Sequence, residues 1–268
     1  MTSTDIVNLA FDRIGEAPIT DIEGTGTAAT LANRHYAITV QSLLRSHRWN
    51  FAISRTVLEP TFIAPTGIAE NGDGEFSVTK SGHGLTTGQR VTFRLSSNYS
   101  AINGTWRVTE VSSSVFTLDD SDFSGSGTVD GEYALAGTTD WAYSIAVPTD
   151  MLRALEDDRG EADIGVKWVL ESGRILTDET ELPFKYVRDE TSVAVLETDP
   201  YFIDTLVLTL ALKFHTALRG EGGGDALRAE LIQLTAPTAR RIDANEGQPR
   251  ERLFPNQSLF VAARRGGL

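Results

Sequence analysis

The chain has 268 residues, and 24 Lys and Arg against 37 Asp and Glu give it a formal net charge of −13 at pH 7. Hydrophobic residues make up 40% and charged residues 23%, a foldable composition that excludes a wholly disordered chain. It contains no cysteine, which excludes disulfide scaffolds, thiolate zinc sites, iron–sulfur clusters and thiol nucleophiles. The acidic balance argues against a protein that binds nucleic acid over a broad basic face.

The first 60 residues predict two helices and then an extended segment. Apolar residues at helical spacing predict a first helix that Gly15 ends and a second over about residues 27–46. Large apolar side chains alternate with smaller or polar ones from Trp49 to Ile53, which predicts a strand with an aromatic-rich buried face. Because the N-terminus lacks the basic start and apolar core of a signal peptide, we expect a soluble protein that stays in the cytoplasm where it is made.

Residues 61–140 have a different character, since Gly, Ser and Thr dominate and helical periodicity disappears. Short β-prone runs separated by Asn-Gly and other turn signals predict a small antiparallel β domain inserted into a host domain. The predicted strands are Glu75–Thr79, Arg90–Leu95, Thr105–Val111 and Val115–Leu118.

Residues 141–246 predict further strands and then two helices, which we assign to the same host domain as residues 1–60. A hairpin is expected from Val166–Leu170 and Arg174–Thr177, between strands at 141–147 and 184–187. Helices over about 199–219 and 225–245 are joined by a run of glycines, and Pro237 should interrupt the second. The predicted fold class is α+β, a mainly α-helical body with a small β-sheet and the inserted β domain.

Residues 247–268 form a C-terminal tail that is too short to build a core. From Ala239 to the end of the chain there are six arginines and three acidic residues, which gives this segment a net charge of +3 in an otherwise acidic protein. The tail also carries aromatic and aliphatic residues that it cannot bury by itself. We expect a peptide that orders on a partner, with a disordered terminus as the alternative.

No motif predicts catalysis, a cofactor or a metal. The phosphate-binding and dinucleotide-binding glycine patterns are missing, and Gly125-Ser126-Gly127 lacks the strand-to-helix context of a nucleophile elbow. The acidic cluster at Asp119, Asp120 and Asp122 could hold calcium, but a solvated loop is the better interpretation. Acidic residues at 156–158 are expected in an exposed turn. The four histidines are too scattered for a metal site, and the four tryptophans are expected in strands as core residues.

The order of several motifs resembles a known family of phage proteins. The motifs are LAFDRIGEAPI at residues 9–19, LLRSHRWNFA at 43–52, YSIAVPTDMLR at 143–153, GRILTD at 173–178 and DPYF at 199–202. Together they resemble the head-to-tail adaptor proteins of short-tailed bacteriophages, the family that includes tail tubular protein A and the tail accessory factors. The segments SGHGLTTGQRV at 81–91 and AINGTW at 101–106 resemble a small β module of phage virion proteins, which many adaptors lack.

The resemblance implies a structural virion protein and not an enzyme. Copies, typically twelve, would form a ring beneath the portal protein at one capsid vertex, extend the DNA channel and receive the tail nozzle or tube. DNA would be a non-specific passenger, no membrane would be involved, and assembly would occur in the bacterial host cytoplasm. In this family the C-terminal segment reaches the portal. The residues that we expect at the portal are Arg250, Arg252, Phe254, Leu259, Phe260, Arg264 and Arg265.

Two other functions remain open at this point. A glycan- or peptidoglycan-acting virion enzyme would use a carboxylate pair for acid catalysis and the β domain for sugar binding. A tail-tube or nozzle subunit would differ from an adaptor in its ring symmetry and in the partner that it binds.

Overall fold

The computed structural model of the chain describes residues 1–137, 140–155, 168–220 and 224–246. These residues divide into two compact units. The first contains Met1–Ile53 together with the described residues from Val187 onward, and the second contains Ser54–Tyr186.

The first unit contains all the α-helices of the described residues. They are α1 (Ser3–Ile14), α2 (Thr27–Ser46), α3 (Val193–Leu196), α4 (Pro200–Arg219), α5 (Gly224–Glu230) and α6 (Ala236–Glu246).

The helix ends follow local capping rules. Thr2 and Asp5 form a capping box at the start of α1, and Gly15 ends this helix in the left-handed region at φ 69°. Asp199 caps α4, since its Oδ1 accepts from the backbone N–H groups of Tyr201 (3.0 Å) and Phe202 (3.1 Å). The sequence-based predictions of α1, α2 and α4 are confirmed.

Helix α4 is the central helix of this unit and packs against α1, α2 and α6. It buries nearly all its large apolar side chains, and the rings of Phe214 and Phe11 in α1 lie 4.9 Å apart. By length and composition alone, α4 is the one helix among the described residues that could cross a membrane. That indication is weak, because the core helix of a globular unit passes the same test and half of this apolar stretch is buried.

The helix after α4 is interrupted as predicted. A π-helical turn, Leu231–Thr235, separates α5 from α6, and the N–H of Ala236 donates to the carbonyl of Leu231. Pro237, the second residue of α6, has no N–H to donate, and a proline is tolerated in the first turn of a helix. The wider turn therefore accommodates the proline without ending the helical segment.

The second unit is built from strands. They are β1 (Ile53–Leu58), β2 (Gly67–Glu70), β3 (Phe76–Thr79), β4 (Arg90–Arg94), β5 (Gly104–Ser112), β6 (Val115–Leu118), β7 (Glu132–Leu135), β8 (Tyr143–Ala146), β9 (Met151–Leu155), β10 (Trp168–Glu171), β11 (Arg174–Thr177) and β12 (Leu182–Arg188).

The largest sheet has six strands in the order β2-β3-β6-β5-β4-β7. Ile63 forms a bridge with Tyr133 of the edge strand β7, and a few residues later β2 pairs with β3. One short segment thus reaches both edges of the sheet, which curls into a half-barrel. Its interior is a core of aromatic and aliphatic side chains that includes the fully buried Phe76, Phe116 and Val91.

Two three-stranded sheets complete the unit, in the orders β1-β12-β9 and β10-β11-β8. The β10–β11 hairpin is confirmed, with Leu170 opposite Ile175. Ser172 (φ 49°) and Gly173 (φ 73°) make its turn, and positive φ at both positions gives the twist that a tight hairpin needs. These strands share a small core that contains Ile145, Leu182 and Phe184.

The predicted fold class, α+β with a mainly helical body, is wrong. The described residues contain twelve strands in three sheets and only five helices when α5, the π turn and α6 are taken as one, so the protein is mostly β. The strands β2, β7 and β9 were not predicted, because each has only four or five residues, and β7 and β9 also pair with strands that are distant in the chain. The helical unit consequently takes a smaller share of the chain than the periodicity suggested.

A second correction concerns the segment after α2. Asn50–Ala52 is a 3₁₀ turn and not a strand, and β1 begins only at Ile53. Trp49 precedes this turn and Trp141 precedes β8, so neither lies in a strand, in contrast to the prediction for all four tryptophans. Trp49 is nevertheless a core residue, with 1% of its surface exposed.

Candidate functional site

The predicted portal-contact residues lie outside the described residues. They are Arg250, Arg252, Phe254, Leu259, Phe260, Arg264 and Arg265. Helix α6, which ends at Glu246, is the last described element before this tail. The contacts that hold α6 in the helical unit are therefore the nearest described part of the candidate site.

Asp243 is the central residue of this anchor. It lies in α6, only 3% exposed, and one carboxylate oxygen accepts from His47 Nε2 at 2.9 Å. The other oxygen accepts from the backbone N–H of Asn50 at 2.8 Å. The amide nitrogen of Asn50 also donates to the backbone carbonyl of Asp243. Three polar groups from the end of α2 and the 3₁₀ turn thus converge on one buried residue of α6.

Aromatic rings surround the anchor. Trp49 packs edge to face against His47 at 4.9 Å and against Phe202 of α4 at 5.0 Å, and Phe51 packs on the same Phe202 at 5.1 Å. The indole N–H of Trp49 donates to the carbonyl of Leu43. The motif at residues 43–52 therefore forms part of the core, and its role is to hold α2, α4 and α6 together.

Burial affects the ionisation of a carboxyl group beside this cluster. Desolvation raises the pKa of Asp199, the cap of α4, and the negative charge of Asp243 acts in the same direction. The N–H groups of Phe202 and Tyr201 and the nearby His47 partly offset this effect. The hydrogen bonds of Asp199 serve to cap α4.

The acidic cluster of the β domain does not form an ion site in the described part of the chain. Asp119 Oδ2 lies 3.8 Å from Arg107 Nε. The backbone N–H of Asp120 donates to Glu75 Oε1 at 2.9 Å. Across the described ranges, no group of three or more His, Asp or Glu side chains could hold a metal ion. The acidic residues at 156–158 lie outside those ranges.

The histidines are far apart and have different surroundings. His83 is buried in the β domain: its Nδ1 accepts from the N–H of Leu85 at 3.0 Å, so its Nε2 carries the proton that it donates to the carbonyl of Ser112 at 2.8 Å. This bonding describes a structural histidine that holds a turn. His35 in α2 and His215 in α4 are half-buried.

The Gly125-Ser126-Gly127 segment is a packed loop. A Cβ on Gly125 would lie 2.2 Å from the carbonyl oxygen of Asn98, which excludes any side chain there. The side chain of Asn98 donates to the carbonyl of Thr128 at 2.8 Å. The glycines therefore permit a close approach of two backbone segments.

A cavity of about 440 Å³ lies at the start of α2. It is lined by Gly26, Thr27, Thr30, Leu31 and Arg34. It is shallow and open to solvent, and Arg34, the only charged residue in its lining, is exposed.

Neither Asp243 nor Asn50 was predicted from the sequence as a functional residue. Asn50 stands in the motif at 43–52, but Asp243 was counted only as one charge of the basic C-terminal region. The sequence did contain a signal for the burial of Asp243, because this residue follows Ala239 by one helical turn and so lies on the same inward-packing face of α6. An acidic residue on the inner face of an amphipathic helix requires a buried partner.

No protein-family model matches the chain, and no curated protein matches it either. The family resemblance therefore depends on the sequence motifs alone.

Proposed function

We propose that this protein is a structural head-to-tail adaptor of a short-tailed bacteriophage. It forms a ring under the portal protein, extends the DNA channel and presents a surface to the tail nozzle or tube. The C-terminal tail, residues 247–268, contacts the portal. The proposal assigns no catalytic step to the protein.

The observation that carries this proposal is the meeting of three of the family motifs in one core. Residues 9–19 contribute Phe11 in α1, residues 43–52 contribute Trp49, and residues 199–202 contribute Phe202 at the start of α4. Trp49 packs directly on Phe202, and Phe11 packs on Phe214 of the same helix α4. Residues that are distant in sequence but resemble one family thus build one compact unit.

The composition of the tail supports the same proposal. In the sequence the tail follows α6, which the buried Asp243 fixes in the helical unit. Its arginines and phenylalanines are residue types that are enriched at protein interfaces. Because the tail carries a positive net charge, the rest of the chain has a more negative net charge than the whole chain. An acidic channel surface would repel the phosphate backbone, so DNA could slide along it without binding.

Co-sedimentation with rings of the cognate portal protein tests the proposal. Deletion of residues 247–268 should abolish binding, and so should a milder variant, Phe254→Ala with Phe260→Ala, because both anchors are lost. Gln257→Ala is the matched control in the same segment and should bind like the unaltered protein. Circular dichroism verifies that each variant is folded. Undiminished binding of the deletion variant would refute the tail assignment, and binding to a tail tube but not to the portal would refute the adaptor.

A further inference from the structure

The charge of the helical unit is divided between two neighbouring segments. Residues 1–23 contain five acidic residues and one arginine, whereas residues 24–53 contain three arginines and no acidic residue. The acid-free stretch includes all of α2. Two segments of opposite charge therefore lie on the same unit.

Helix α1 presents an acidic stripe on its solvent side. The α1 stripe is Asp5, Leu9 and Asp12, which at 100° per residue lie within one narrow sector of the helix. It lies opposite the buried face of α1, whose residues are Ile6, Val7, Ala10 and Phe11. Asp5 and Asp12 are exposed, and Leu9 is a large apolar side chain that is 42% exposed.

Helix α2 presents a basic stripe on its own solvent side. The α2 stripe is Arg34, Ile38 and Arg45, which also share one sector, opposite the buried Ala32 and Thr39. Ile38 is 58% exposed, and Arg34 is exposed beside the cavity at the start of the helix.

The two stripes are complementary in charge. In both, one exposed aliphatic side chain stands between two side chains of like charge, negative on α1 and positive on α2. Because Leu9 and Ile38 are both exposed, the two stripes of one copy do not cover each other. Contact between them would bury both aliphatic side chains and place surfaces of opposite charge side by side. The complementary charge identifies a second copy of this chain as the occupant of each stripe.

We propose that the α1 stripe of one copy packs against the α2 stripe of the next. Two different surfaces meet in such a contact, so it is heterologous and repeats from copy to copy until the rotation closes a ring. This inference rests on the proposed function, because it specifies the interface that joins the copies of the adaptor ring.

The absence of cysteine from the chain permits a direct test by disulfide cross-linking. In the double variant Leu9→Cys with Ile38→Cys, mild oxidation should produce a ladder of linked dimers, trimers and longer species on a non-reducing gel. A disulfide requires Cα atoms within about 7 Å, so the ladder reports direct contact of the stripes. Each single variant should stay monomeric, and an equal mixture of the two should stop at the dimer.

Two matched variants control for chance collisions and for general charge effects. Ile232 is 61% exposed on the π-helical turn of the same unit, so Leu9→Cys with Ile232→Cys should give no ladder. In the double-cysteine background, Arg34→Glu should lower the yield of linked species about tenfold, since a like charge would then face the α1 stripe. Arg240→Glu makes the same charge change on the exposed side of α6 and should leave the yield unaltered.

The oxidation is run on the free protein at high concentration and on the protein bound to portal rings. A monomer band alone in both conditions would overturn the proposed contact, and so would an equal ladder from the Ile232→Cys control. If the free protein gives a ladder, loss of that ladder on deletion of residues 247–268 would show that the tail joins the copies, which also overturns the proposed contact. Portal binding without a ladder leaves the proposed function standing, whereas a ladder without portal binding refutes that function and leaves the contact standing.

Discussion

Asp130 illustrates how a single carboxylate organises a loop of the β domain. Its Oδ1 accepts from Ser96 Oγ at 2.7 Å, and its Oδ2 accepts from the backbone N–H groups of Ser97 (2.8 Å) and Asn98 (3.1 Å). These hydrogen bonds favour the ionised form of the Asp130 carboxyl group. The hydrogen bond from Ser96 is the largest of the effects that hold the pKa of Asp130 below its ordinary value of 3.8.

This lowered pKa gives the stability of the protein a defined dependence on pH. A carboxyl group whose pKa is lower in the folded than in the unfolded state stabilises the fold above its ordinary pKa, and this contribution is lost as the pH falls below 3.8 through the folded pKa. Asp130→Asn should therefore lower the thermal unfolding midpoint at pH 7, and the difference from the unaltered protein should shrink in acid. Asp122→Asn, at an exposed position of a nearby loop, is the control and should show no such pattern. A constant difference at every pH would contradict the prediction.

At the scale of elements, α6 depends on a polar anchor more than on apolar packing. Only Ala239 and Asp243 are buried in this helix, and α5 buries no residue. A helix with so small an apolar face has little to hold it by the hydrophobic effect alone. The hydrogen bonds of Asp243 to His47 and Asn50 are therefore the main specific contacts that fix α6.

Removal of this carboxylate should destabilise the helical unit. Asp243→Ala should lower the free energy of unfolding by about 2–4 kcal/mol, because it leaves His47 Nε2 and the backbone N–H of Asn50 without their carboxylate partner. Urea denaturation followed by the helical circular dichroism signal measures this unit, which contains the described α-helices. Asp204→Ala, at an exposed position of α4, should change the value by less than about 0.5 kcal/mol. Equal effects of the two variants would show that the anchor contributes nothing specific.

At the scale of the whole molecule, the described residues form two units with separate cores. The helical unit is built around α4, and the strand-rich unit has the half-barrel core around Phe116 and the smaller core around Phe184. Each unit buries enough apolar surface in its own interior to behave as a domain.

This separation predicts that the strand-rich unit folds without the rest of the chain. A fragment of residues 53–188, which contains β1 to β12, should show a β-type circular dichroism spectrum and dispersed amide resonances. Phe116→Ala should lower the stability of this fragment by about 3–5 kcal/mol, because it empties the half-barrel core. The exposed Val57→Ala should have little effect. A fragment without dispersed resonances would contradict the prediction.

The sequence by itself determined the features that depend on neighbours along the chain. Gly15 ends α1, Asp199 caps α4, Pro237 accompanies the π turn, and the turn at Ser172-Gly173 makes a hairpin. Each of these signals acts within a few residues through backbone geometry and capping, so the local sequence contains the necessary information.

The tertiary structure alone decided the fold class and the anchor of α6. Strand β7 is recognisable only because Leu135 pairs with Val91 of β4, and Asp243 becomes a central residue only because His47 and Asn50 meet it across the unit. The physical reason is that β-pairing and buried hydrogen bonds join residues far apart in the chain, and their energies depend on partners that no local pattern identifies.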